Sequence, residues 1–161
     1  MEILDLYDDF GNKLNQTIYR GEKTENGKNI MLSVAFIKNS NNEFLIQKTS
    51  KEKGNKFSST GGHVTHGETG LETITRELKE ELGINVIHQD IKYITTFKYP
   101  TKNCIFNVYL LNIDIDLSNI KLQDEEVDEV KYLSIEEIND IINSGNFLES
   151  HAYIFNNYIN K

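Results

Sequence analysis

The segment from Thr69 to Gly83 constrains the chain most, because it carries start and stop signals for one helix together with a fixed division of its faces. Thr69 and Glu72 have the spacing of a capping box, and Gly83 stands where a left-handed residue ends helices, so the spacing predicts a helix over 70–82. On a helical wheel Leu71, Ile74, Leu78 and Leu82 fall within an arc of roughly 80°, a narrow stripe that must pack on a single surface. Glu77, Glu80 and Glu81 occupy a neighbouring arc at i, i+3 and i+4. Like charges on adjacent turns mildly destabilise a bare helix, so something should compensate, although such a cluster taken alone is more often a solvated charged face.

A hard divalent cation compensates well. Mg²⁺ and Mn²⁺ prefer carboxylate and water oxygens and bridge to phosphates. They also neutralise a diphosphate and lower the pKa of a bound water, which is what phosphoanhydride hydrolysis needs. The chain has one cysteine, Cys104, so a multi-thiolate metal site and an internal disulfide are both excluded. A reducing cytoplasm suits that usage, and Cys104 itself reads as a small hydrophobe packed in a strand.

The remaining elements surround that helix. Ile3–Tyr7, a turn at Asp9–Asn12 and a return to about Arg20 read as a hairpin, and Ile30–Ile37 as a buried strand. The turn Asn39–Asn42 should bring Glu43–Lys48 back as its antiparallel partner. Residues 57–68 have little periodicity and read as a loop. Ile91–Lys98 and Cys104–Ile115 form an expected antiparallel pair about a turn holding Pro100, the only proline. Val127–Leu133 is a last strand; Ser134 and Glu137 form a second capping box opening a helix that ends near Gly145, and a final helix is expected over 147–160. With 161 residues, 38% of them hydrophobic, and no linker, the chain is expected to be one domain over 1–161, α/β or α+β.

The stretch GGHVTHGETGLETITRELKEELGI, residues 61–84, resembles the box of the Nudix hydrolases, G-x5-E-x7-R-E-U-x-E-E-x-G-U with U aliphatic. All nine specified positions agree: Gly62, Glu68, Arg76, Glu77, Leu78, Glu80, Glu81, Gly83 and Ile84. Chance agreement is on the order of one in ten million. The resemblance implies a Nudix-type α/β/α sandwich, a mixed sheet with helices on both faces. It implies Glu77, Glu80 and Glu81 as ligands of Mg²⁺ or Mn²⁺, with the Gly61 carbonyl as a further ligand. One of these glutamates, or an acid outside the box, would orient or deprotonate the water. Arg76 would orient Glu77 and Glu68. The acidic run Asp124-Glu125-Glu126 is where an outside acid is sought, with Glu126 first, against the alternative of an exposed acidic turn.

The implied function is cleavage of a diphosphate in a nucleoside diphosphate joined to another group, such as ADP-ribose or a nucleotide sugar. A nucleoside triphosphate is the next substrate. Pro100 favours ADP-ribose slightly, although a plain turn former is the simpler reading. An isopentenyl-diphosphate-isomerase-like enzyme fits less well: its active-site cysteine would fall at Gly61, and the acid at Glu77 is kept. A nucleotide-sensing module without turnover would be expected to have lost box carboxylates, and all are present.

His63 and His66 could touch a phosphate, yet loop histidines are more often solvated or bonded to backbone. Lys48, Lys51, Lys53 and Lys56 could attract phosphates or form an ordinary surface loop. The net charge of -8 disfavours nucleic acid and anionic membranes as partners and suits a small ligand accompanied by a cation. The amino terminus lacks the pattern of a signal peptide, and no apolar run is long enough for a membrane span. Oligomeric state stays open, a homodimer included.

Overall fold

The computed structural model describes residues 1–123 and 125–161. Its centre is β3 (Ile30–Lys38), which runs parallel to β8 (Cys104–Asn112) in unbroken register from Ile30↔Cys104 to Lys38↔Asn112. Successive side chains of a strand point to opposite faces, and here both faces are apolar. Val34 and Phe36 enter one core with Ile138, Ile154 and Phe155; Ala35 and Ile37 enter the other with Ile74, Leu78 and Leu82. The sheet therefore lies between α1 (Gly70–Leu82) on one face and α2 (Ile135–Asn143) with α3 (Glu149–Ile154) on the other. This is the expected α/β/α sandwich. The sheet is mixed, because β7 (Lys92–Lys98) and β9 (Val127–Leu133) join it antiparallel, on β8 and β4 (Phe44–Thr49) respectively.

Three expectations change. First, β3 and β4 do not form a paired hairpin; only Lys38 and Phe44 are in register, and β4 then runs along β9. The Asn39–Asn42 turn closes only the base, with Asn39 N–H donating to the Glu43 carbonyl at 2.9 Å. Second, residues 57–68 are not simply a loop. Phe57–Ser58 forms β5 on β4, and Thr60–His63 forms β6 on β3. These residues have no apolar alternation because neighbouring strands, not side-chain burial on one face, hold them in place. Third, the last helix is shorter than 147–160. α3 ends at Ile154 and the chain continues over Phe155–Ile159 in wider π-type turns.

α1 has the predicted bounds. Both halves of the Thr69–Glu72 capping box are made, and Gly83 at φ 69° donates to the Lys79 carbonyl at 3.0 Å. The hairpin of β1 (Ile3–Tyr7) and β2 (Lys13–Tyr19) forms a separate two-stranded sheet. It is pinned to the segment before α1: His66 N–H donates to the Ile3 carbonyl at 2.8 Å and Gly67 N–H to Asp5 Oδ2 at 3.0 Å. Pro100 is exposed in the turn after β7, and Cys104 is buried in the core beside Tyr99 and Phe106. No described helix is long and apolar enough to cross a membrane.

Candidate active site

β6 and α1 pack together, so the glycines of β6 lie beneath the glutamates of the helix. The outcome is a cavity of about 250 Å³ whose wall includes Gly61, Gly62, Arg76, Glu77, Glu80 and Glu81, joined by Glu126 from the start of β9. Glu126 arrives there because Lys121 and Gln123 N–H groups donate to the Leu82 and Glu81 carbonyls, at 2.9 and 3.2 Å, tying the late loop to the end of α1. Glu126 also stands 3.6 Å from the Lys53 ammonium. Asp124 lies outside the described residues.

Arg76 organises one side of this cavity. Its Nε and Nη2 donate to the two oxygens of Glu68, at 2.9 and 3.0 Å, while Nη1 donates to Glu77 at 2.8 Å and to Glu80 at 3.2 Å. Bonding to the guanidinium holds the Glu68 carboxyl down at about 2. Glu77 is pushed up by burial, in spite of Arg76. Gly62 permits this packing: a Cβ on it would stand 2.3 Å from Glu77 Oε1.

Glu81 occupies the deep end and is only 8% exposed. Gln47 Nε2 donates to its Oε2 at 2.8 Å, Gly61 N–H to its Oε1 at 3.3 Å, and Thr60 Oγ1 in turn donates to Gln47 Oε1 at 3.1 Å. Burial first, and then the neighbouring Glu77, push the Glu81 carboxyl up to about 8. A carboxyl so displaced lacks positive charge nearby. The donor set, three carboxylates with a glycine backbone around a polar cavity, fits a hard divalent ion. Among the described residues the carboxylates are not collected into a three-ligand cluster; Arg76 draws Glu77 and Glu80, and Gln47 draws Glu81.

The other expected groups divide. His63 lines the cavity, and burial together with Arg20 lowers its ring to about 4, so it is neutral. His66 instead bonds Asp5 at 2.7 Å. Lys48 lies over the Phe57 ring, 5.4 Å from its centroid, and is not part of the cavity wall. Sequence reasoning missed Gln47, Gln123, and the pair Glu2 and Arg20, all of which reach the cavity or its glutamates. Only Gln47 left a signal, as a polar residue within the buried run FLIQ. A second cavity, of about 270 Å³, shares His63 with the first and is walled largely by Ile30, Leu32, Tyr99, Cys104 and Phe106.

Behind β6, His151 of α3 is buried, and its Nδ1 accepts from Ser59 N–H at 3.1 Å. Burial lowers its pKa from 6.5 to about 4. The unfolded chain thus binds this proton first, so the stability is present above pH 6.5 and is lost as pH falls towards 4. Metal-free protein is expected to lose about 2 kcal/mol from this group between pH 7 and pH 5. Urea denaturation at both pH values, compared with His151→Gln, checks it; His63 contributes with the same sign in both proteins.

The family model for the NUDIX domain matches residues 31–156. Over 99% of its length the chain is 30% identical to an uncharacterised Nudix hydrolase of Listeria innocua, covering 94% of that protein. A solved structure from Deinococcus radiodurans superposes with a TM-score of 0.81 at 24% identity, covering 96% of this chain and 98% of that one. A bifunctional NMN adenylyltransferase/ADP ribose pyrophosphatase from Francisella tularensis, complexed with AMP and a Mn ion, has a TM-score of 0.66 at 24% identity over 84% of this chain and 41% of its own. With the complete box mounted on α1 and the sandwich around it, the chain belongs to the Nudix hydrolase family and is an enzyme of its pyrophosphohydrolase class.

Proposed function

We propose that the protein hydrolyses a phosphoanhydride bond in a nucleoside diphosphate linked to a second group, ADP-ribose or a nucleotide sugar, with Mg²⁺ or Mn²⁺, in a reducing cytoplasm. The observation carrying this reading is the adjacency of two unlike cavities. One is lined by the box carboxylates, and the other, sharing His63, is walled by aliphatic and aromatic side chains suited to the organic part of such a substrate.

Glu77, Glu80 and Glu81, with the Gly61 carbonyl, would hold the metal, while Arg76 is the positioning residue that sets Glu77 and Glu80. A bound divalent ion supplies charge neutralisation for the diphosphate and acidifies water. The water oxygen bonds to phosphorus, its proton passes to a carboxylate of this set or to Glu126, and the bond from that phosphorus to the bridging oxygen breaks. Two phosphate-bearing products result. Gln47 and the Gly61 N–H fix the Glu81 carboxyl throughout.

The test is release of phosphate or nucleotide from ADP-ribose, nucleotide sugars, dinucleoside polyphosphates, nucleoside triphosphates and isopentenyl diphosphate, with Mg²⁺, with Mn²⁺ and with chelator. Metal-dependent cleavage of ADP-ribose or a nucleotide sugar is expected. Exclusive cleavage of triphosphates would overturn the substrate class, and isomerised isopentenyl diphosphate, detected by mass spectrometry, would overturn the reaction.

A further inference from the structure

The glutamate cavity has two cationic side chains in its wall, Arg76 and Arg20, against five carboxylates, Glu2, Glu77, Glu80, Glu81 and Glu126. Arg76 is spent on Glu68, Glu77 and Glu80. Arg20 is held less firmly: among the described residues its ion pair is with Glu2, at 3.1 Å, and their side chains are 52% and 41% exposed. An ion pair that open to water is worth little and is readily exchanged for a better partner. A guanidinium is suited to that exchange because it grips phosphate oxygens through two parallel N–H groups.

Arg20 directly follows β2 of the amino-terminal hairpin, which precedes the residues matched by the domain family model. The hairpin is nevertheless fixed to the site. Arg20 N–H donates to the Glu2 carbonyl at 3.0 Å, closing the strand pair at its end, and the same hairpin holds His66 and Gly67 by backbone and Asp5 contacts just before α1.

We propose that Arg20 is a phosphate-binding residue of this site, its guanidinium exchanging the Glu2 carboxylate for a phosphate oxygen of the incoming diphosphate. Glu2 then acts as a placeholder that keeps the arginine at the mouth when no substrate is present. The proposal rests on the diphosphate-hydrolase reading above.

Calorimetric titration with inorganic pyrophosphate in the presence of Mg²⁺ tests it without requiring turnover. Arg20→Gln is expected to bind about tenfold more weakly than the unaltered protein, the loss of one charge-assisted contact, with Arg20→Lys between them and Glu2→Gln no weaker. On whichever substrate the panel identifies, Arg20→Gln should raise KM about tenfold and leave kcat within about twofold. Its thermal midpoint should be unchanged, since the side chain is exposed. Equal pyrophosphate affinity and equal KM in the two proteins would overturn the inference and leave the hydrolase reading intact. Arg20-dependent pyrophosphate binding in a protein that cleaves nothing on the panel would do the reverse. Absence of pyrophosphate binding by the unaltered protein would overturn the phosphate site itself.

Discussion

Glu81→Gln is expected to slow turnover by on the order of 10³-fold while the protein remains folded and no less resistant to heat. The two effects separate because the side chain sits where charge is costly and volume is not. Glu81 is buried, close to Glu77, and carries its proton up to about pH 8 in the absence of metal. A glutamine fills the same space, accepts the Gln47 or Gly61 hydrogen bond through its amide oxygen, and is neutral, as the protonated carboxyl of the metal-free fold is. What it cannot do is offer an anionic oxygen to a hard cation. Glu80→Gln should behave alike in turnover, with even less effect on the fold, because its side chain is half exposed. Steady-state kcat at saturating substrate and Mg²⁺, beside thermal melts, measures both. Turnover undiminished in both variants would remove these glutamates from the chemistry.

Arg76→Ala should do harm of a different kind, lowering stability and activity together. The side chain donates to Glu68 through a two-point fork and to Glu77, Glu80 and the His63 carbonyl besides, at 2.8–3.3 Å. Without it Glu68, whose side chain is 16% exposed, keeps a largely buried charge with only Thr65 and Thr73 to bond it. Breaking a buried pair on one side costs about 3–5 kcal/mol; because Arg76 is partly exposed, about 2–3 kcal/mol is expected here. Glu77 and Glu80 also lose their common anchor, which should lower kcat on the order of 10²-fold. The acid limb gives a second signature. Arg76 depresses Glu68 from 4.5 to about 2, so this stability is full above pH 4.5 and fades as pH falls towards 2. That dependence should shrink in Arg76→Ala, where only the Thr73 and Thr65 bonds still lower Glu68. Urea midpoints across this pH range check it, and Arg76→Lys should restore only part, since an ammonium cannot reproduce the fork.

The parts of the molecule legible in the sequence are those decided by neighbouring residues. α1 has the bounds read from Thr69, Glu72 and Gly83 because caps and a left-handed stop act within a turn of the chain. β9 and the second capping box at Ser134 and Glu137 are legible for the same reason. β5 and β6 are not, because Phe57–Ser58 and Thr60–His63 become strands only through the edges that β4 and β3 offer them. The splaying of β3 from β4 is equally non-local, since the nine-residue parallel match with β8 and the pairing of β4 with β9 are set by segments far along the chain.

The candidate site divides in the same way. Arg76, Glu77, Glu80 and Glu81 stand close in sequence, and the box spacing singles out the group, while Gly61 is named only by what the family resemblance implies. Gln47 reaches Glu81 across 34 positions, and Arg20 reaches the cavity from a hairpin whose docking depends on His66 and Gly67. A polar residue in the apolar run FLIQ is the single local mark of Gln47, and no local pattern marks Arg20. Lys48 shows the converse, a basic residue near the box in sequence whose ammonium faces an aromatic ring and not the carboxylates.

The most direct test of the central claim is Mn²⁺ binding, followed by electron paramagnetic resonance, in the unaltered protein and in a variant with Glu77, Glu80 and Glu81 all changed to glutamine. Saturable binding that weakens at least about tenfold in the variant is the predicted result, since three anionic oxygen donors are replaced by neutral amides. Equal Mn²⁺ affinity in the two folded proteins would contradict the assignment of the metal to this cluster.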